Sequence, residues 1–255
     1  NMKGSKQGSK GGNVATIPRN WIPVQQNGGV ATDPLRTFTI MTYNVLKETS
    51  ATPKFFTKTD PELLKFNYRG INICKEIASV QPDIVCLQEN DNYKEFYQSE
   101  LSKYGYDSLY KQRGSVKDGC GTFYNRERLF VVDKLEVEYN VLATELNNFK
   151  FTTDNVALIT LFQPLSEELQ ASNSNDNSGT AQFVVANTHL YWDPKEPQIR
   201  TEQIKLLWTK IQEFISNYST DPNSVPIILC GDLNSTPDSE VIHFLSQACN
   251  LQHCY

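Results

Sequence analysis

The segment Pro226-Ile227-Ile228-Leu229-Cys230-Gly231-Asp232-Leu233-Asn234 places a short apolar run directly before a polar motif. A continuous apolar run of this length, followed by glycine, is typical of a strand that is buried on both faces. The polar residues after such a strand leave the core where the strand ends. We therefore expect Asp232 and Asn234 to face a cleft at one edge of a sheet.

Three further segments repeat this pattern of an apolar run followed by polar residues. They are Phe38–Met41 before Thr42-Tyr43-Asn44, Ile84–Leu87 before Gln88-Glu89, and Phe183–Ala186 before Asn187-Thr188-His189. If the four strand ends meet, they gather Asn, Glu, His and Asp side chains around one point. Such a group suits a hard divalent cation and a phosphate.

Helical and extended patterns alternate along the rest of the chain. Helical spacing of apolar residues predicts helices at Leu63–Val80, Asn92–Tyr104, Ile199–Asn217 and Ser239–Ala248. Further strands are expected at Tyr106–Lys111, Gly121–Tyr124, Leu129–Tyr139 and Ala157–Phe162. This order predicts an α/β fold in which helices cover the sheets.

Composition limits the classes of protein that fit this chain. Its 255 residues suit one large domain or two small ones, and its formal net charge of -5 gives no support to tight, non-specific nucleic-acid binding. The six cysteines are scattered without a CxxC pair, which favours reduced core thiols, a reducing compartment and no disulfide-linked partner. With no secretory signal or membrane span in view, we expect a cytoplasmic protein, with the nucleus as the alternative location, and no membrane partner.

The domain limits follow from low-complexity segments. Residues 1–20 are predicted to be a flexible tail, and residues 21–255 to form the folded domain. Within that domain, residues 171–180 are rich in Ser and Asn and are expected to be a surface insertion.

Each candidate site residue also has a structural interpretation when it is taken alone. Glu89 is either a metal ligand or a surface ion-pair partner, and Asn44 either a ligand or the start of an Asx-turn. His189 either donates to a phosphoryl oxygen or is a buried structural histidine. Asp232 and Asn234 either act on water and phosphate or form a turn. Together, however, the motifs are specific.

In this order the motifs resemble the endonuclease/exonuclease/phosphatase superfamily, whose fold is shared by pancreatic deoxyribonuclease. The closer resemblance is to its CCR4-type deadenylases, nocturnin and the Angel proteins. It rests on Tyr68-Arg69, Pro82-Asp83-Ile84, Lys117-Asp118-Gly119-Cys120, Asp154-Asn155-Val156-Ala157, Asn187–Pro194 and Cys230–Ser239. The resemblance extends from about Phe38 to the end of the sequence.

This resemblance implies a four-layer α/β/β/α sandwich of the DNase I-like type and assigns roles to the strand-end residues. Glu89 would be the main Mg²⁺ ligand, with Asn44 close to it. His189 and Asn155 would lie at the scissile phosphate, Asn234 would fix that phosphate, and Asp232 would position the nucleophile.

The expected substrate contacts lie beside this group. Pro194 matches a position that packs on the terminal adenine, and Asn187 and Lys117 are further expected contacts. Lys111 and Arg113 are candidate backbone contacts, unless this basic segment is only a solvated loop. Tyr191 or Trp192 could stack on a base, or either could belong to the core.

The expected activity is that of a magnesium-dependent 3′-5′ exoribonuclease that hydrolyses single-stranded poly(A) or similar RNA to 5′-nucleotides. One alternative is a nocturnin-like phosphatase that removes the 2′-phosphate of NADP(H). Another is a catalytically silent binding module. The segment Tyr191-Trp192-Asp193-Pro194 resembles the deadenylases and favours the first activity.

One part of the family pattern has no counterpart in the sequence. In the family, a segment like Asn250-Leu251-Gln252 is followed by further strands and a Ser-Asp-His motif. Neither His243 nor His253 follows Ser-Asp, so neither is assigned a catalytic role. We therefore expect a fold that lacks its C-terminal strands, and little hydrolysis by this chain alone.

Overall fold

Two four-stranded sheets form the centre of the protein. A computed structural model describes residues 37–114, 116–165 and 182–251, so the predicted tail at 1–20 and insertion at 171–180 lie outside the described residues. The first sheet has the order β1-β2-β4-β3, from β1 (Ile40–Asn44), β2 (Ile84–Gln88), β3 (Tyr106–Gln112) and β4 (Gly119–Asn125). The second has the order β5-β6-β7-β8, from β5 (Leu129–Glu138), β6 (Val156–Pro164), β7 (Phe183–His189) and β8 (Ile227–Asp232).

Each sheet contains one parallel pair of strands. β1 pairs with β2 and β7 with β8 in parallel, whereas the other neighbouring strands are antiparallel. A parallel pair needs a long crossover, which is usually a helix. Here α2 (Phe66–Val80) lies between β1 and β2, and α5 (Pro197–Ile215) lies between β7 and β8.

Shorter helical segments complete the described chain. They are α1 (Pro61–Leu64), α3 (Gln98–Ser102), α4 (Val141–Glu145) and α6 (Glu240–His243), π-helical turns at Tyr93–Tyr97 and Phe244–Ala248, and 3-10 turns at Phe149–Phe151 and Pro222–Ser224. The single helix predicted at Leu63–Val80 is wrong, because Lys65 is extended (φ -61°, ψ 136°) and separates α1 from α2.

Three apolar layers separate the sheets and helices. One joins helices to the first sheet, one lies between the sheets, and one joins helices to the second sheet. Representative members are Ile73, Ile77 and Phe123 of the first layer, Ile84, Phe162 and Val185 of the middle layer, and Ile159, Leu207 and Ile211 of the third. This arrangement confirms the four-layer α/β/β/α sandwich.

The strands extend further than the apolar runs that predicted them. β2 continues through Gln88, β7 through His189 and β8 through Asp232. Backbone hydrogen bonds maintain the ladder whatever the side chain, so polarity does not end a strand. As a result, several polar motif residues lie on the strands themselves, and their directions follow from the pleat.

The cysteines in the described part of the chain are core residues. Cys74, Cys86, Cys120, Cys230 and Cys249 are buried and free. Burial raises the pKa of Cys74 and of Cys120 to about 12, so both thiols remain neutral. Within the described ranges, no helix has the length and apolar character that crossing a membrane would require.

Candidate active site

The carboxyl-terminal ends of β1, β2, β7 and β8 meet at one edge of the sandwich. The Asn44 amide Nδ2 donates to Glu89 Oε1 at 3.0 Å and to Asp232 Oδ2 at 2.9 Å. His189 Nε2 lies 3.9 Å from the same Asp232 oxygen. His189 and Asp232 are register partners on the parallel strands β7 and β8, which sets them side by side. The structure thus brings together the four strand-end residues that the sequence pattern singles out.

Glu89 is held in place by the loop that follows β1. Its Oε2 accepts a hydrogen bond from the Lys47 backbone N at 3.1 Å, and the Leu46 N donates to Asn44 Oδ1 at 3.0 Å. Asn44 therefore forms the Asx-turn that was its structural alternative. The Asn44 amide nitrogen nevertheless faces the Glu89 and Asp232 carboxylates.

Left-handed backbone conformations occur at three site residues. Leu46 (φ 55°), Glu89 (φ 54°) and Asn234 (φ 48°) all have positive φ although none is glycine. This conformation costs about 1–2 kcal/mol for a residue with a Cβ. Such strain persists where the surrounding contacts fix the geometry, and that is the case at this edge.

Asp232 is fixed by the turn that follows β8. Its Oδ1 accepts from the Asn234 N at 2.9 Å, and the Asn234 Nδ2 donates to the Leu190 carbonyl at 2.9 Å. Gly231 (φ 145°) permits this approach, because a Cβ there would lie 2.0 Å from the Thr188 carbonyl oxygen. These contacts therefore hold the ends of β7 and β8 together next to the Asp232 carboxylate.

His189 is mostly buried, with 7% of its surface exposed. Burial lowers the pKa of its imidazole, and the opposing effects of the Asp232 and Glu89 carboxylates only partly offset it. A neutral imidazole is thus favoured in this arrangement, with Nε2 directed to Asp232.

Asn155 is mostly buried, and its side chain hydrogen-bonds to the backbone at His189. The expected phosphate contact is not supported, because the side chain is only 3% exposed and its Nδ2 donates to the His189 carbonyl at 2.9 Å. Gln203 Nε2 reaches Asn155 Oδ1 at 3.4 Å, and Gln203 Oε1 accepts from the Tyr191 N at 2.9 Å. Asn155 and Gln203 together fix the backbone on both sides of Leu190.

Asn187 links the two sheets and is wrongly predicted as a substrate contact. Its side chain has 0% exposure. Asn187 Oδ1 accepts from Gln88 Nε2 at 2.8 Å, and Nδ2 donates to the Gly121 carbonyl at 3.0 Å. Residues 187 and 189 lie on the same face of β7, so Asn187 points into the layer between the sheets and only His189 reaches the edge.

Lys47, Arg113 and Asp118 form a charged group beside Glu89. The sequence pattern does not indicate that these three residues lie together. Asp118, 2% exposed, has Oδ1 3.4 Å from Lys47 Nζ and Oδ2 3.5 Å from Arg113 Nη1. Lys47 also supplies the backbone N that binds Glu89. Only the resemblance pointed to Asp118, since nothing in its local pattern indicates burial.

Two arginines hold the loops on either side of the site. Arg69 donates to the Leu64, Val45 and Leu46 carbonyls at 3.0, 2.9 and 2.8 Å. The buried Arg200 donates to the Tyr191 and Asp193 carbonyls. Arg69 thereby fixes the loop that binds Glu89, and Arg200 fixes the loop before Pro194.

The remaining expected substrate contacts lie at the periphery of the site. Pro194 is exposed in the turn after β7, and Lys117 is exposed in the turn between β3 and β4. The Lys117 turn is near Glu89 in the fold, since the Asn90 N donates to the Gly119 carbonyl at 3.2 Å. A cavity of about 280 Å³ opens between β1 and β8 and includes Asn44 and Asp232 in its lining.

The comparison with family models gives the family of this chain. Residues 41–248 match the model of the Endonuclease/Exonuclease/phosphatase family. The chain belongs to this family.

Relatives of this chain include an Angel protein and a Ccr4 subunit, both from the branch of the family that the motifs resemble. The chain is 35% identical over 213 residues to human Protein angel homolog 1, which corresponds to 82% of this chain and 30% of that protein. It is 29% identical over 274 residues to the CCR4-Not complex 3'-5'-exoribonuclease subunit Ccr4 of Schizosaccharomyces pombe, covering 92% of this chain and 38% of that protein. The chain thus spans about a third of the length of these relatives.

Solved structures of the same family show the same fold. The human Nocturnin catalytic domain with bound sulfate aligns with a TM-score of 0.65 and 26% identity, over 86% of this chain and 72% of that one. ANGEL2, a 2',3'-cyclic phosphatase, aligns with a TM-score of 0.66 and 28% identity, over 82% of this chain and 56% of that one. The likeness to the CCR4, nocturnin and Angel branch is confirmed.

Members of the endonuclease/exonuclease/phosphatase family generally depend on a divalent metal ion, and the side chains at this edge fit one. Glu89 and Asp232 place two carboxylates around a single Asn44 amide nitrogen. Mg²⁺ is typically held by one or two carboxylates, with waters and substrate phosphates completing its shell. Among the residues that the structure describes, no group of three or more His, Cys, Asp or Glu side chains is arranged to hold a metal ion.

Proposed function

We propose that this protein is a magnesium-dependent 3′-5′ exoribonuclease that hydrolyses the phosphodiesters of single-stranded poly(A) or similar RNA. The observation that carries the proposal is the Asn44 amide, which joins Glu89 and Asp232 while His189 lies 3.9 Å from Asp232. A cation site, a carboxylate and an imidazole at one open edge meet the requirements of in-line phosphoryl transfer. The related Schizosaccharomyces pombe protein is a 3'-5'-exoribonuclease subunit.

The side chains at this edge would have two roles, one in binding the metal and one in binding the phosphate and the attacking water. Glu89 would hold the metal, with Asn44 beside it, and the metal would supply Lewis acidity to the phosphate. His189, neutral because it is buried, would donate from its ring to a phosphoryl oxygen whose charge grows in the transition state. Asp232 would orient the attacking water, and the second Nδ2 hydrogen of Asn234 would bind the phosphate.

The substrate side rests on the loop after β7. Pro194 is exposed there and is available to pack on the terminal base. Tyr191 and Asp193 flank Trp192 in this loop, and Arg200 binds both carbonyls. Lys117, which is exposed in the turn between β3 and β4, would contact the RNA backbone.

Two phosphatase activities are the alternatives. The likeness to the Nocturnin catalytic domain favours a 2′-phosphatase acting on NADP(H), and the likeness to ANGEL2 favours a 2',3'-cyclic phosphatase. The experiment is to incubate the whole protein and Mg²⁺ separately with oligo(A), NADP(H) and an oligonucleotide ending in a 2',3'-cyclic phosphate. Release of AMP from oligo(A) at the highest kcat/KM supports the exoribonuclease. Turnover restricted to either phosphatase substrate contradicts it.

We expect Arg69→Met to weaken Mg²⁺ binding by about 10–100-fold, the usual effect of removing a group that orients a metal ligand. The reason is that Arg69 fixes the Val45 and Leu46 carbonyls, and the next residue along this loop binds Glu89. The measurement is the Mg²⁺ concentration that gives half-maximal activity, together with direct Mn²⁺ binding.

Arg128→Met is the matched control for this prediction. Arg128 pairs with Asp83 at 2.7 Å and donates to the Thr37 carbonyl at 2.9 Å, at the amino-terminal start of β2 and away from the site. It should lower stability without changing the Mg²⁺ dependence. Equal Mg²⁺ dependence in the Arg69 and Arg128 variants would refute the positioning role.

A further inference from the structure

Two large aromatic side chains beside the candidate active site are left open to solvent. Phe149 is 92% exposed and Trp192 is 65% exposed. Single exposed apolar residues are common on proteins, but two large aromatic side chains in neighbouring segments mark a surface that a ligand can cover. The neighbouring Tyr191 differs, since it packs against the buried cluster of Leu142, Phe151 and Ile199.

The segments that carry these two side chains are joined to each other. The turn Phe149–Phe151 is tied to the loop after β7 by an ion pair between Lys150 Nζ and Glu196 Oε1 at 2.9 Å. Phe151 shares its buried cluster with Tyr191, which directly precedes Trp192. The two exposed rings are therefore carried by neighbouring segments of the chain.

That surface is continuous with the catalytic edge. Trp192 follows His189 by three residues, a span of at most about 11 Å along the chain. Gln203 Nε2 donates to Thr153 Oγ1 at 2.9 Å while its Oε1 accepts from the Tyr191 N, so α5 holds both segments. Arg200 then fixes the carbonyls on either side of Trp192. Hydrogen bonds from α5 therefore hold the segments that carry the exposed rings.

We propose that Phe149 and Trp192 form a stacking surface for the nucleobases of single-stranded RNA that lie upstream of the terminal nucleotide. The proposal rests on the proposed function and adds to it a binding site outside the Pro194 position. Every base has a π-face, so aromatic side chains bind successive bases of single-stranded nucleic acid with little sequence preference. Trp192, whose ring lies 6.1 Å from the Tyr191 ring, is the more exposed aromatic residue of this loop and the one more accessible to a base.

The local charges indicate that stacking, and not ammonium–phosphate attraction, supplies the binding. Lys150 and Lys195 lie in these two segments with Asp193 and Glu196, so the charges balance. Binding by phosphate neutralisation falls steeply with salt, whereas the stacking contribution does not. The loss caused by removing either ring should therefore be the same at low and high salt.

The test measures binding of hexa-adenylate to the whole protein in EDTA, so that nothing is hydrolysed. Phe149→Ala and Trp192→Ala should each raise the Kd by roughly 5- to 150-fold, the range for one lost base stack. Neither should change an abasic ribose-phosphate hexamer's affinity. Hexa-adenylate should also quench the fluorescence of Trp192. Trp192→Phe, which keeps Trp21 and Trp208, should lose this quenching.

Phe130→Ala is the matched control. Phe130 is 55% exposed but lies at the end of β5 that pairs with Gln163, remote from His189. It should leave the Kd unchanged, and all three alanine variants should keep the Tm because they remove exposed side chains.

Hexa-adenylate binding that is unaffected in both Phe149 and Trp192 variants overturns the stacking surface and leaves the exoribonuclease proposal standing. If those variants instead change the oligomeric state with no effect on RNA, the surface binds protein and the proposal is again overturned. Failure of the unmodified protein both to bind and to degrade oligo(A) overturns the proposed function itself.

Discussion

Replacing Glu89 by Gln is expected to lower metal-dependent hydrolysis by about 10³-fold or more and to raise the Tm measured without divalent cations. The loss of rate follows because Lewis-acid stabilisation by a bound metal is worth several kcal/mol, and each 1.36 kcal/mol is a factor of ten. The gain in Tm follows because Glu89 and Asp232 share one Asn44 amide nitrogen, which brings two negative charges together.

The two effects are measured on the same samples of the whole protein. Thermal unfolding with increasing Mg²⁺ should raise the Tm of the unmodified protein by mass action and leave the variant unchanged. Glu127→Gln, which removes the same charge from an exposed turn, should alter neither property. A Glu89→Gln protein that Mg²⁺ still stabilises to the same degree would show that Glu89 is not the ligand.

Asn187→Ala is expected to destabilise the fold by about 2–4 kcal/mol without changing the KM. The substitution removes the Asn187 acceptor of the Gln88 amide, which keeps the Cys86 carbonyl and the Thr42 hydroxyl, and it removes the side-chain donor to the Gly121 carbonyl. A buried polar group that loses a partner costs about 1–3 kcal/mol. For a domain of this size, the Tm should fall by roughly 5–15 °C. The experiment is denaturant unfolding, combined with steady-state kinetics well below the lowered Tm.

A double-mutant cycle with Gln88→Ala gives the coupling between the two sheets. Residues that share a buried hydrogen bond usually couple by about 0.5–3 kcal/mol. Additive effects would show that the bond between Gln88 and Asn187 stabilises nothing. A raised KM at an unchanged Tm would instead restore Asn187 as a substrate contact.

The sequence predicted the fold class and the group of strand-end residues because both depend on short apolar runs and on helical spacing of the apolar residues between them. Glu89, His189 and Asp232 follow or end such runs, so their convergence needed only that the strands lie side by side. The resemblance then supplied the order of the layers.

Residues whose roles depend on a partner far along the chain could not be assigned in the same way. Asn187 and His189 have the same local pattern, yet one lies between the sheets and the other at their edge. Whether a residue of β7 lies between the sheets or at their edge depends on where the first sheet ends opposite it. The sequence around Asn187 and His189 does not indicate this position. Arg69 and Gln203 act through backbone carbonyls and amides, which the sequence does not distinguish, and the break at Lys65 is a single backbone rotation.

The hydrogen bond between Asn44 and Asp232 joins residues that are 188 positions apart. At a synthesis rate of about 5–20 residues per second, the ribosome needs roughly 10–40 s to pass from one to the other. Until β8 is translated, the nascent chain carries Asn44, and later also Glu89, without a partner from β8. Because so long a loop must close before the contact forms, assembly of the carboxylate pair belongs to the late steps of folding. On this topology the chain cannot bring its strand-end residues together until β8 has been translated.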